Sequence, residues 1–237
     1  MACAGGAGDE CAGWPTGGQP LSLVILMDAT DGLSRAQRED VWSRIRPLAE
    51  RAPPGSSLHL FEVRPGADAF REVAAIPRPP HPCEVDHWSD NPDQRAAQWA
   101  PAYLRPLRDA LGAAARANPS DSSPILEGIQ AAARRFGEEG ADGHLVLVSD
   151  LMQHTGALSF YRGVPTLADF RASPLYREMR TRRLEGVALT VLQLPPGGAA
   201  TGREAAVRAF WTAWFQDQGM VGVGEAFLPV EGPRARN

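Results

Sequence analysis

Two carboxylates stand where they could share a cation. Asp28-Ala29-Thr30-Asp31-Gly32 follows directly on the apolar run Leu21-Ser22-Leu23-Val24-Ile25-Leu26-Met27, and Asp150 ends the run His144-Leu145-Val146-Leu147-Val148-Ser149. Short, β-branched, nearly all-apolar runs of this kind read as strands buried on both faces of a parallel sheet. Their polar ends are then the carboxyl ends of central strands, where open α/β sheets place their ligand sites. Asp28 and Asp150, with hydroxyls from Thr30 and from Ser123 (or Ser122) on a loop between them in sequence, make an all-oxygen set suited to Mg²⁺ or Mn²⁺. Such ions take one or two carboxylates and keep several waters. The alternative is that the acids cap the turns that follow them, with the hydroxyls bonding backbone N–H groups.

The elements between these residues alternate. Ser34-Arg35-Ala36-Gln37 has capping-box spacing and opens a helix through Val41, Trp42, Ile45 and Leu48, ended by Pro53-Pro54-Gly55. Leu58 to Val63 reads as a second strand and Phe70 to Ile76 as a short edge strand. A helix is expected from about Gln98 to Arg116, and another from Ile125 to Phe136 with Ser123 as N-cap and Pro124 at its first position. After the strand ending at Asp150 come a helix near Ala168 to Arg180, a buried strand from Val187 to Leu194, and a helix opened by Thr201-Gly202-Arg203-Glu204. Met220 to Leu228 returns as an edge strand. Strands alternating with helices predict an α/β fold, a doubly wound, mostly parallel central sheet flanked by helices. One domain is expected over residues 20–230, with a lead-in at 1–19, a long irregular loop at 77–95 and a tail at 231–237.

Composition removes several chemistries. The chain has 237 residues and a formal net charge of −4, so nucleic acid is a poor default partner. All 24 basic residues are Arg. Without Lys there is no Walker P-loop, and no stabilising Lys for a dehalogenase-type phosphatase built on Asp28. A metal-dependent phosphoesterase using Asp28, Asp31 and Asp150 is the enzyme reading left, without a base or a phosphate-binding loop to accompany the acids. Three cysteines, Cys3, Cys11 and Cys83, signal neither a disulfide framework nor a zinc ribbon. His81, Cys83 and His87 could bind zinc, but a solvated loop with one partly buried Cys fits their spacing better. Phe210, Trp211, Trp214 and Phe215 read as core rather than as a docking surface. Arg177, Arg180, Arg182 and Arg183 read as a solvated face near a helix end. No apolar run is long enough to span a bilayer, and the N-terminus lacks a signal-peptide pattern. Cytoplasmic is the default; export or membrane association would follow if the start were misassigned.

Asp28-x-Thr30-x-Gly32 after a first strand, Ser123 before a helix and Asp150 after a later strand resemble the von Willebrand factor A (vWA) domain. That family's signature is D-x-S-x-S, a loop Thr and a late Asp, together a metal-ion-dependent adhesion site. The resemblance covers roughly residues 21–228, and Gly32 stands where the signature has its second Ser. Ser123-Pro124-Ile125-Leu126-Glu127, Leu147 to Gln153 and Phe210-Trp211-x-x-Trp214-Phe215 also look like a divergent bacterial group of such domains. The resemblance implies a protein–protein interaction module in which Asp28, Thr30, Ser123 and Asp150 hold Mg²⁺ and a partner's acidic side chain completes the shell. A metal-free scaffold of the same fold is the alternative.

Overall fold

A computed structural model describes residues 18–28, 32–64, 70–84, 92–116, 120–136, 142–195 and 202–231. Its centre is a six-stranded sheet: β1 (Leu21–Met27), β2 (Ser57–Val63), β3 (Phe70–Pro77), β4 (Asp142–Ser149), β5 (Ala188–Gln193) and β6 (Phe227–Pro229). Their spatial order is β3-β2-β1-β4-β5-β6. Only the β2–β3 pair is antiparallel; all other neighbours are parallel. The chain therefore builds outward from β1 in one direction, returns, and builds outward from β4 in the other. The α/β three-layer architecture expected from the alternating elements is the one observed.

β1 and β4 sit side by side at this reversal, with Met27 opposite Val148. They are central because they are apolar on both faces. Val24 and Leu26 of β1 point into one core with Leu145 and Leu147 of β4, while Leu23, Ile25 and Met27 enter the other with Val146 and Val148. Each core needs a helical layer to close it. The second is covered by α1 (Arg35–Glu50) through Val41, Ile45 and Ala49, beside a long helical segment. That helix comprises α2 (Pro92–Trp99), a π-turn (Ala100–Leu104) and α3 (Arg105–Ala114). It starts six residues earlier than its apolar periodicity suggests, and the irregular turn coincides with Pro101, which has no N–H to give the helical ladder.

The first core is closed by α4 (Ile125–Ala132), α5 (Leu167–Arg171), α6 (Pro174–Met179) and α7 (Glu204–Asp217). The single helix expected near Ala168 to Arg180 is two helices, because Pro174 breaks the ladder and Ser173 caps the second piece. The last edge strand is shorter than expected. A 3₁₀ turn (Val223–Glu225) interrupts it, leaving one bridge from Val221 to Ala188 and a three-residue pairing of Phe227–Pro229 with β5. Among the described residues no helix is long and apolar enough to cross a membrane.

His144 on β4 offers a test of this layering. Burial pushes its imidazole below the ordinary range, and its Nε2 lies 2.9 Å from Thr190 Oγ1 on β5. The folded protein thus resists a proton that the unfolded chain accepts below about pH 6.5. Stability from neutral His144 is complete above that value and is lost as pH falls. Urea midpoints at about pH 7.5 and about pH 5.5 should show this loss, and His144→Gln should reduce it. Equal losses in both proteins would place the acid sensitivity elsewhere.

Candidate functional site

The site lies at the sheet reversal, on the rim formed by the carboxyl ends of β1 and β4. Asp28 leaves β1 with its backbone N–H still donating to Val148 O at 2.9 Å, so it is held by the sheet itself. Its side chain is buried, at 4 % exposure. One carboxylate oxygen, Oδ2, accepts two hydroxyl hydrogen bonds, from Ser123 Oγ at 2.7 Å and from Ser149 Oγ at 3.0 Å. Three segments far apart in sequence thus converge on one oxygen. A buried carboxylate is tolerated only when charge-assisted bonds of this kind replace its water.

Each hydroxyl is positioned by its own segment. Ser149 is the last residue of β4, and its Oγ also accepts the Leu151 N–H at 2.8 Å. Ser123 is fixed by a two-way backbone bridge to His154: Ser123 N donates to His154 O at 2.8 Å and His154 N to Ser123 O at 2.9 Å. Ser123 is not the cap of α4. Pro124 occupies the capping position with no side-chain bond, because the Ser123 hydroxyl is turned across the sheet to Asp28. The helix end is served from another loop. Gln153, fully buried, accepts the Leu126 N–H on Oε1 at 2.9 Å and donates through Nε2 to Glu127 at 3.0 Å.

Between Ser149 and Gln153 the chain makes a strained turn. Leu151 has φ +67°, the one described non-glycine residue with positive φ, and is fully buried. A β-carbon in that region costs on the order of 1 kcal/mol or more, and such strain concentrates at functional sites. The turn is pinned on three sides: by Ser149 Oγ, by burial of the Leu151 side chain, and by Trp211 Nε1, which donates to Leu151 O at 2.9 Å. Asp150 closes the same turn by accepting the Met152 N–H at 2.9 Å. Its side chain thus takes the turn-capping role that was one of its two expected roles, whereas that of Asp28 joins Ser123 and Ser149.

Of the four residues singled out by sequence, Asp28 and Ser123 are in direct contact, Asp150 adjoins them through Ser149, and Thr30 lies outside the described residues, as does Asp31. Ser149, Gln153 and Trp211 were not singled out for the site. Gly32 has φ +66°, the left-handed region that favours glycine, so the loop's path explains why no serine stands there. Among the described residues no group of three or more His, Cys, Asp or Glu is gathered to hold a metal. The rim gathers carboxylate and hydroxyl oxygens.

Of the ligand-rich loop, residues 81–84 are described and half-buried, with Cys83 partly buried as expected. Cys83 is disulfide-bonded, which takes its thiolate out of any zinc set; Cys3, Cys11 and His87 lie outside the described residues. Arg78, its side chain fully buried, pairs with Glu84 and lies 5.1 Å over the Trp99 ring, against which His81 also packs edge-on at 4.8 Å. Burial pushes the His81 imidazole below its ordinary range; nearby Glu84 opposes this and Arg78 adds to it. The aromatic helix is core, as expected: Phe210, Trp211, Trp214 and Phe215 are all at most 2 % exposed. From the Arg-rich run, Arg183 donates to the carbonyls of Arg134 and Phe136 just past α4.

No protein-family profile and no curated protein matches the chain. Among solved structures, it is similar to an aerotolerance-related membrane protein from Bacteroides fragilis NCTC 9343, crystallised with multiple mutations to serines. The two are 13% identical over 90% of this chain and 92% of that one, with a TM-score of 0.37. The fold assignment rests on strand order and pairing, not on this likeness.

Two substitutions probe the site's construction. Ser149→Ala removes a donor from the buried carboxylate and an acceptor from the strained turn, and should cost about 2–4 kcal/mol of unfolding free energy. Trp211→Phe leaves the Leu151 carbonyl without its indole partner and should cost about 1–3 kcal/mol. Denaturant unfolding measures both, and values within about 0.5 kcal/mol of wild type would remove the hydroxyl and indole from the account of the site.

Proposed function

We propose that the chain is a vWA-type protein–protein interaction module whose rim site binds a partner's acidic side chain through Mg²⁺ or Mn²⁺. One observation carries this reading: the buried Asp28 carboxylate gathers the Ser123 and Ser149 hydroxyls at the point where the sheet reverses. The donor set fits a hard divalent cation. A serine hydroxyl that donates its proton to Asp28 keeps its lone pairs for a second partner. Ser123 retains both of them, and Ser149 retains one beyond its bond from the Leu151 N–H. Asp28, Ser123 and Ser149 would hold the ion, with Thr30 from the loop after β1 and Asp150 as the second carboxylate. Ser149 supplies a hydroxyl in a set from which Gly32 withholds one. Bound there, the cation supplies a positive centre with an open position for an oxygen ligand from a partner. This chain's own residues do the orienting. β1 and β4 fix the Ser149–Asp28 bond, the backbone bridge to His154 fixes the Ser123–Asp28 bond, and the pinned turn at Leu151 fixes where the rim ends.

A second reading has its own observation. Asp28 is already bonded by two hydroxyls and Asp150 by its own turn, so the same residues can act as a metal-free lock joining β1, β4 and the loop before α4. The module would then engage partners through its rim without an ion.

Thermal unfolding after EDTA treatment, with Mg²⁺ or Mn²⁺ then titrated in, separates the two. Binding to the native state alone adds about 2.7 kcal/mol of stability at a hundredfold excess over the dissociation constant. A saturable rise that is absent in Asp28→Ala is expected. No rise at millimolar metal, or a rise that Asp28→Ala leaves intact, would transfer the function to the metal-free lock.

A further inference from the structure

Beside Asp28, three short segments outside the main sheet pair with one another. His154 bridges Ser123 on one side and Ser159 on the other, both antiparallel. Ser123 and His154 exchange both backbone hydrogen bonds, at 2.8 and 2.9 Å. The pairing with Ser159 is flanked by Phe160 N–H to Gln153 O at 2.9 Å and Thr155 N–H to Leu158 O at 2.8 Å. Residues directly opposite each other in such a ladder project their side chains to the same face, with β-carbons about 4.5–5.5 Å apart. The Ser123 hydroxyl, the His154 imidazole and the Ser159 hydroxyl therefore stand in one row. Ser123 donates to Asp28 Oδ2, so the row leads from the buried carboxylate to His154.

The imidazole is held, and its proton is placed. His154 Nδ1 lies 2.8 Å from Ser159 Oγ, and the Tyr161 ring packs edge-on against it at 5.2 Å. Ser159 is 4 % exposed, and among the described residues its hydroxyl has this nitrogen alone as acceptor. A buried O–H without an acceptor is costly, so Ser159 donates to Nδ1 and the ring carries its proton on Nε2. Nε2 makes no hydrogen bond among the described residues and is not sealed from solvent, His154 being half-buried. Other donors nearby are committed. Ser122 Oγ donates to His154 O at 3.1 Å, and Arg162 donates to the carbonyls of Thr155 and Gly156 at 3.3 and 3.2 Å.

We infer that His154 binds the partner's carboxylate directly, donating its Nε2–H to one carboxylate oxygen. This rests on the reading of the rim as a receptor for a partner's acidic side chain. A carboxylate has two oxygens, and an ion held at Asp28 needs only one of them. The hydroxyls of Ser123 and Ser149 cannot serve the other, because both of their protons go to Asp28. His154 supplies the missing donor. The pair of contacts also sets specificity. The amide of Asn or Gln has a single oxygen, and once that is taken its NH₂ meets the Nε2–H donor to donor. The site thus selects Asp or Glu over their amides.

The probe is sodium propanoate, the carboxylate of an acidic side chain on a short stem, with propanamide as control. It is titrated into the full Mg²⁺-loaded chain at constant ionic strength. Imidazole nitrogen NMR signals at about pH 8 report His154, and the backbone amides of Ser123 and Leu151 report binding in every variant. Metal loading is read separately, as the rise in melting temperature with Mg²⁺. Expected are a proton on His154 Nε2 and a saturable shift with propanoate but not with propanamide. Affinity should fall at least about fivefold in His154→Ala and return to within about twofold in His154→Gln, which keeps an N–H donor at similar reach, while both variants retain the metal rise. A proton on Nδ1, an equal response to propanamide, unchanged affinity in His154→Ala, or no saturable shift in the metal-loaded wild type would each overturn the assignment. Loss of the metal rise in His154→Ala would do so too, by making the imidazole a support of the ion. Absence of the metal rise in wild type would overturn the ion-dependent reading of the rim, and this assignment with it.

Discussion

A carboxylate cannot be buried at the end of a central strand unless something replaces its water. That constraint organises the rim of this protein. Removing an ionised carboxyl from solvent costs several kcal/mol even after relaxation, and hydrogen bonds to a charged acceptor return about 1.5–3 kcal/mol each. Asp28 is 4 % exposed, and the hydroxyls bonded to it come from the segment before α4 and from the last residue of β4. Meeting the solvation demand of one side chain therefore specifies where two other segments must lie. The parallel register fixes the third, since the Asp28 N–H is itself part of the β1–β4 ladder.

The strain at Leu151 belongs to the same arrangement. For Ser149 Oγ to donate to Asp28 and accept from the chain behind it, β4 must turn at once, and the turn passes through positive φ. Packing over-determines that conformation. The Leu151 side chain is sealed in the core and its carbonyl is held by Trp211 from α7, the helix whose other aromatic rings pack around it. The aromatic helix thus touches the rim without lining it. Its contribution is positional, through one indole N–H and a rigid wall.

The sheet and its central pair were legible because their signal is strong and local: the runs Leu21–Met27 and His144–Ser149, largely apolar on both faces, each followed by a carboxylate. Asp28 and Ser123 were legible as residue types at turn positions. The direction in which Ser123 points was not. A serine before a Pro-led helix reads as a cap, and nothing local reveals that a buried carboxylate ninety-five residues away competes for its proton and wins. Gln153 was hidden for the converse reason, since it caps a helix that it precedes nowhere in sequence. Ser149 was hidden by being counted as strand. The departure at Gly32 became intelligible only with its backbone angle, which a sequence does not print. At the loop around His81, the buried Arg78–Glu84 pair and the Trp99 ring hold residues 81–84 against the protein, a contact that the spacing of its His and Cys did not show.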